Sequence, residues 1–162
     1  MEIERKYTIT NMPSRLEDYP CKVIEQAYLN TSPVVRVRRA NDTYTLTYKG
    51  SGMMARTEYN LPLDEKSYNH LLKKADGNVI SKRRYILPLE NPRFAKGFTP
   101  KDGLSLEIEL DIFEPPFAPL VMAEVEFPDE QTANAFIPPA WFDKDVTLDS
   151  KYHNSNMSRQ VF

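Results

Sequence analysis

Charged residues two apart recur along this chain. Glu2 and Glu4 open it, and Arg36 with Arg38, Arg56 with Glu58, Lys82 with Arg84, Glu107 with Glu109 and Glu124 with Glu126 follow. Strand side chains alternate faces, so each pair would project from one face. Such neighbours lie roughly 6.5–7 Å apart. Two like charges at that distance repel by about 0.6 kcal/mol in water, but by about 2.5 kcal/mol at an effective dielectric near 20. A partly enclosed site built from these faces would need counter-charges or bound ions. Hard divalent cations take carboxylate and phosphate oxygens as ligands, and arginine and lysine suit phosphate. The chemistry such a set could do is a metal-assisted reaction on a polyanion. A sheet with one solvated face gives the same alternation, and no spacing rule forces these strands to meet. Solvated faces, however, usually mix their charges. Here carboxylate pairs with carboxylate on three strands and cation with cation on two.

The elements that would position these residues are short and mostly strands. Alternation and turn chemistry place strands over about 2–9, 23–30, 34–40, 43–49, 55–61, 80–88, 104–113 and 120–127. Asn41-Asp42, Gly50-Ser51-Gly52 and Pro115-Pro116 separate several of them. Many strands joined by short turns imply antiparallel pairing in a barrel or a sandwich. On the strand from Leu104, residues Ser105, Glu107, Glu109 and Asp111 share one face, and Leu106, Ile108 and Leu110 the other. A helix is expected over about 65–75, capped by Asp64 and ended by Gly77 or Asn78. A shorter one follows Pro128, capped by Asp129 and stopped before Pro138-Pro139. Residues 90–103 read as a loop.

At 162 residues, a single domain spanning 1–162 is the simplest division. Net charge is −2, from 21 basic and 23 acidic residues, which argues against a broad nucleic-acid surface. One cysteine excludes an internal disulfide, and two histidines make a Cys/His zinc site improbable. No apolar run reaches membrane-spanning length. The opening MEIERKY lacks a signal-peptide apolar stretch, so the plain reading is a cytoplasmic protein.

EIERKY resembles the ExExK signature of the CYTH superfamily, the triphosphate tunnel metalloenzymes, through Glu2, Glu4 and Lys6. The similarity continues in order. EQAYL is similar to the Q-x-Y-L segment, VVRVRR supplies Arg36 and Arg38, TLTYKG supplies Lys49, and ARTEYN supplies Arg56 and Glu58. SKRRY gives Lys82, Arg84 and Tyr85, and LSLEIELDIFEP and VMAEVEFP resemble the two later acidic strands. DVTLDSKYHNSNMS is similar to a closing segment that commonly ends R-Y-x-N-S-N, with Lys151 in place of its arginine. The resemblance implies an α+β, mainly β fold: a closed eight-stranded antiparallel β-tunnel lined with charge, with a few helices packed outside. It also implies Mg²⁺ or Mn²⁺, two ions by expectation, and a small-molecule triphosphate substrate.

On this reading Lys6, Arg36, Arg38, Lys49, Arg56, Lys82, Arg84 and Lys151 bind phosphate. Glu2, Glu4, Glu107, Glu109, Glu124 and Glu126 form the metal-ligand pool, with Glu4, Glu126, Lys82 and Arg84 carrying the chemistry. Glu58 and Asp111 either join the ligands or hold arginines, and Tyr28 bonds phosphate or fills the wall. Arg5, Arg39 and Arg83 fall on the outer face. His70 and His153 are expected to be solvated or locally bonded, and Phe136, Trp141 and Phe142 to pack the C-terminal segment on the barrel. The expected activity is metal-dependent hydrolysis of inorganic tripolyphosphate, less selectively of nucleoside triphosphates. A class IV-type adenylate cyclase, a thiamine triphosphatase and a non-catalytic polyphosphate-binding module are the competing readings. Apolar outer strand faces with few helices to cover them leave room for a homodimer.

Overall fold

The alternating segments become strands, and the strands close on one another. The computed structural model describes residues 1–162. The wall begins with β1 (Glu2–Ile9), β2 (Cys21–Thr31), β3 (Val34–Ala40) and β4 (Thr43–Lys49). It continues with β5 (Ala55–Arg56), β6 (Glu58–Leu63) and β7 (Asp76–Pro88), after which β8 (Arg93–Phe94) lies apart. Next come β9 (Glu107–Phe113) and β10 (Val121–Glu126), then β11 (Phe136–Ile137), which pairs only with β8, and β12 (Phe142–Asp145). Around the sheet the neighbours run β12-β1-β10-β9-β7-β2-β3-β4-β6, every pair antiparallel.

The circle shuts at the start of β1, where Glu2 faces Arg56 and Ile3 faces Ala55. β5 and β6 act as one stave broken at Thr57, so the barrel has the eight staves expected. The rest of that edge of β1 is taken by β12, a ninth strand that sequence alternation does not reveal. Two strands are longer than expected: β2 begins at Cys21 and β7 at Asp76.

Helices α1 (Glu65–Leu72), α2 (Glu130–Ala135) and α3 (Asn154–Met157) are all short. Asp64 and Asp129 cap the first two as expected, each accepting from the backbone N–H three residues on. α1 stops at Leu72, earlier than its apolar pattern suggests, and its Tyr68 packs against Ala27 and Val37 on the outside of the sheet. A larger outer cluster, including Ile3, Tyr7, Ile108, Val125, Phe136 and Phe142, covers the other side. Tyr48, Tyr59 and Leu61 on the outside of β4 and β6 remain exposed. No helix is long and apolar enough to cross a membrane.

The interior is not polar throughout. Tyr28, Val34, Ile80, Phe113 and Met122 lie on inward registers and join Phe117, Val146 and Met157 in an apolar plug. The end of α3 reaches this region because the chain passes Gly77 closely. Gly77 has φ +73°, and a Cβ there would lie 2.2 Å from the Ser158 carbonyl oxygen. Asn78 seals the junction, donating from its N–H to Ser158 O at 2.6 Å and from its amide to Gln160 O at 2.7 Å.

Candidate active site

Register brings the charged pairs into a single chamber. Glu4 faces Glu126 and Lys6 faces Glu124 across β1 and β10, while Glu124 faces Glu109 across β10 and β9. On the next interfaces Arg84 faces Asp111, and Arg36 and Arg38 face Thr47 and Thr45. The cavity they enclose has a volume of about 240 Å³. Of the expected residues, Glu2, Glu4, Lys6, Arg36, Arg38, Lys49, Arg56, Lys82, Arg84, Glu109, Glu124 and Glu126 all line it.

Two do not. Glu107 keeps the inward register but is exposed beyond the mouth, in a vestibule it shares with Lys22, Glu109 and Glu126. Lys151 is a correction: it sits on an exposed turn capped by Asp149, with its ammonium 4.0 Å from that carboxylate and over the Tyr152 ring. The closing segment instead sends Asn154 and Ser155 to the wall. Lys22, Thr45 and Asn60 also line the cavity. Lys22 shares a face with Gln26 and Tyr28, a signal interrupted in the sequence by the apolar Ile24 between them.

Tunnel cations fall into two groups. Those of the first are bound to carboxylates. Lys6 lies 2.9 Å from Glu124 and 3.1 Å from Glu4, and Lys49 2.7 Å from Glu2 and 3.3 Å from Glu58. Lys82 lies 2.7 Å from Asp111, while Arg84 bridges Asp111 and Glu109 at 2.7 Å each. Asp111 is thus the holder of cations rather than a ligand on the wall. The second group, Arg36, Arg38 and Arg56, has no carboxylate within ion-pair distance. Arg36 donates only to Thr47 Oγ1 at 3.3 Å, and Arg38 only to Gln26. The Nε atoms of Arg36 and Arg56 are buried with no partner at all.

Proton affinities follow this arrangement. Burial, then the neighbouring Glu4, pushes the Glu2 carboxyl up to about 8. Glu109 and Glu126 are raised by burial and by surrounding carboxylates, whereas Lys6, Arg84 and Lys82 outweigh burial and hold Glu124 well below its usual range. Burial, with Arg84 and Arg38 close by, brings the Lys82 ammonium down to about 7 against the pull of Asp111.

Oxygens of Glu4, Glu109 and Glu124 lie within 4.8 Å of one another. Three carboxylates converging in this way fit a hard divalent cation, and such a charge would relieve the raised proton affinity of Glu109 within the group and of Glu2 and Glu126 beside it.

Outer-face residues behave as that face predicts. Arg83 pairs with Glu114 at 3.6 Å on the surface, and Arg39 covers the Tyr44 ring. Arg5 is more enclosed than expected. It pairs with Asp145 at 2.6 Å and donates to the carbonyls of Ala133 and Phe136, joining β1 to α2 and β12. His153 is buried and bonded locally, its Nε2 2.9 Å from Thr147 O, and His70 is exposed on α1.

A β-barrel lined by acid on one side and base on the other defines the class of the triphosphate tunnel fold. The CYTH domain family model matches residues 1–135, and the chain belongs to that family. It is 34% identical over 164 residues to an inorganic triphosphatase of Nitrosomonas europaea, covering 99% of this chain and 98% of that one. An inorganic triphosphatase of Acetivibrio thermocellus is 35% identical over 130 residues, covering 79% and 73%. A crystal structure of an inorganic triphosphatase superposes with a TM-score of 0.69 at 29% identity, covering 99% of this chain and 96% of that one.

Proposed function

We propose that this chain is a metal-dependent hydrolase of inorganic tripolyphosphate. One observation carries the reading: Arg36, Arg38 and Arg56 have no carboxylate partner, in the same chamber as the converging Glu4, Glu109 and Glu124. Unmatched guanidinium donors call for an anion, and crowded carboxylates call for a cation. A metal–polyphosphate complex supplies both. Only Tyr28 and Val34 among the 20 lining residues are hydrophobic, so the chamber offers almost no surface for a base or a thiazolium. That favours the inorganic substrate over a cyclase or thiamine triphosphatase role. The relatives named inorganic triphosphatase support the same choice.

In this reading Glu2, Glu4, Glu109, Glu124 and Glu126 hold divalent cations, Mg²⁺ or Mn²⁺ in two sites. The metal, when bound, neutralises phosphoryl charge and acidifies water. Lys6, Arg36, Arg38, Lys49, Arg56, Lys82 and Arg84 align and neutralise the phosphate chain, which is most of what phosphoryl transfer asks of a protein. Water adds across one P–O–P bond, giving orthophosphate and pyrophosphate. Residues 1–162 work as one unit, since Asn154 and Ser155 complete the wall beyond the family-matched span. The setting is cytoplasmic, and a dimer, where formed, would use the uncovered Tyr48, Tyr59 and Leu61.

The test is phosphate release with Mg²⁺ or Mn²⁺ from tripolyphosphate, pyrophosphate, ATP and thiamine triphosphate, with a search for cyclic AMP. Tripolyphosphate is expected to give the highest kcat/KM. Tight binding without turnover would instead establish a binding module.

The two faces of the wall give a second expectation. Arg36→Ala should lower kcat/KM for tripolyphosphate by roughly 10²-fold, the effect of losing a charge-assisted contact to phosphate. Arg83→Ala should change it less than about twofold, because its partner is an exposed glutamate. Equal losses would show that the inner face has been misassigned.

A further inference from the structure

Gln26 is fully buried and uses its whole amide. Its Oε1 accepts from Arg38 Nε at 2.8 Å and Nη2 at 2.5 Å. Its Nε2 donates to Asn154 Oδ1 at 2.9 Å and to Tyr28 Oη at 3.2 Å. The amide can face only this way, because a guanidinium has donors and no acceptor. Asn154 Oδ1 in turn accepts from Lys82 Nζ at 3.1 Å. One chain of bonds therefore runs from Arg38 on β3, through Gln26 on β2 and Asn154 on α3, to Lys82 on β7.

Arg38 differs from the carboxylate-bound cations in the neutrality of its support, and from Arg36 and Arg56 in being held by two bonds to one fully buried side chain. Lys6, Lys49, Lys82 and Arg84 are each oriented by a carboxylate that also cancels charge. Arg38 instead makes both its bonds to one amide oxygen, which fixes its plane but leaves its charge whole. Burial, then Arg36 and Arg84, bring Arg38 down to about 9, still a cation at neutral pH.

We propose that Gln26 is a positioning residue for substrate, aiming Arg38 at the polyanion without neutralising it and tying that arginine to the C-terminal Asn154. This role rests on the tripolyphosphate reading above. It explains why glutamine serves there better than glutamate, which has the same shape. A carboxylate at position 26 would pair with Arg38 and so compete with phosphate. It would also set an oxygen against Asn154 Oδ1 in place of a donor.

The experiment compares wild type, Gln26→Glu, Arg38→Ala and the double variant in steady-state tripolyphosphate hydrolysis with Mn²⁺, alongside thermal melts. Gln26→Glu is expected to raise KM roughly 10- to 100-fold with kcat within about threefold, the pattern of lost substrate binding. Its melting temperature should not fall, because the new ion pair with Arg38 offsets the lost bond to Asn154. In the Arg38→Ala background the same change should add nothing to KM, because Gln26 acts through that arginine. An unchanged KM in Gln26→Glu, effects that multiply in the double variant, or a kcat loss that follows a fall in melting temperature would each overturn the role. Wild-type protein that neither binds nor hydrolyses tripolyphosphate would overturn the underlying reading, and the role with it.

Discussion

Glu4→Gln is expected to lower metal-dependent tripolyphosphate hydrolysis by roughly 10³-fold while leaving the barrel intact. Glu4 is almost completely buried, and its carboxylate belongs to the only group of three whose oxygens converge within 4.8 Å. Glutamine keeps the shape but gives up the charge, so a divalent cation loses one anionic ligand in a chamber already crowded with lysine and arginine. Folding should survive because Lys6 retains Glu124 at 2.9 Å. Measured across a Mn²⁺ series, the variant should need far more metal and still fall short of the wild-type rate. Glu126→Gln should be milder, since Glu126 stands at the mouth and is exposed. Wild-type rates for Glu4→Gln at every metal concentration would remove Glu4 from the ligand set.

Asp111→Ala should be the most destabilising single change in the wall. Asp111 is wholly buried and binds Lys82 at 2.7 Å and Arg84 through two bonds of 2.7 and 2.8 Å. Removing it leaves buried Lys82 with no carboxylate and Arg84 with Glu109 at 2.7 Å and Glu124 at 3.7 Å, and breaking a buried pair in this way costs about 3–5 kcal/mol. For a chain of this size the melting temperature should fall by on the order of 10 °C. Asp18→Asn is the control, because its pair with Arg15 is exposed and worth at most about 1 kcal/mol. The ion pairs of Asp111 also predict acid lability. Burial works to raise the Asp111 carboxyl, but Arg84 and Lys82 hold it below its ordinary value of 3.8. Its contribution is therefore complete above the unfolded pKa and is lost as pH falls through the lower folded one. Equal melting temperatures for Asp111→Ala and wild type would contradict the assignment.

Much of this architecture could be read from residue types alone, because a barrel wall obeys a period of two. Glu107-Ile108-Glu109 and Glu124-Val125-Glu126 state which side of β9 and β10 is wet, and the observed register agrees. The period carries no information about where along the bore the lining changes character. Ile24, Phe113 and Met122 share registers with charged residues, and Ile80 with Gln26, yet all four form buried apolar surface. The C-terminal segment follows no such period. Lys151 attracts notice as a cation at a motif position, but a chain turn capped by Asp149 points it outward and brings the neutral Asn154 and Ser155 inward. Gln26 has no visible role within its motif, since only the fold brings its amide oxygen to Arg38.

The two outer clusters, under α1 and around α2, together with the plug, have a mechanical consequence. In an ordinary domain one greasy centre holds everything, and loosening any part of it is felt throughout. Here the oil lies in three separate patches, two on the hull and one plugging part of the hold, and the rest of the hold is lined with charged side chains. The patch beneath α1 can lift and reseal as a local event, with the staves bearing Glu4, Glu109 and Glu124 braced by a different patch. Such a vessel can flex its planking while its cargo stays lashed in place.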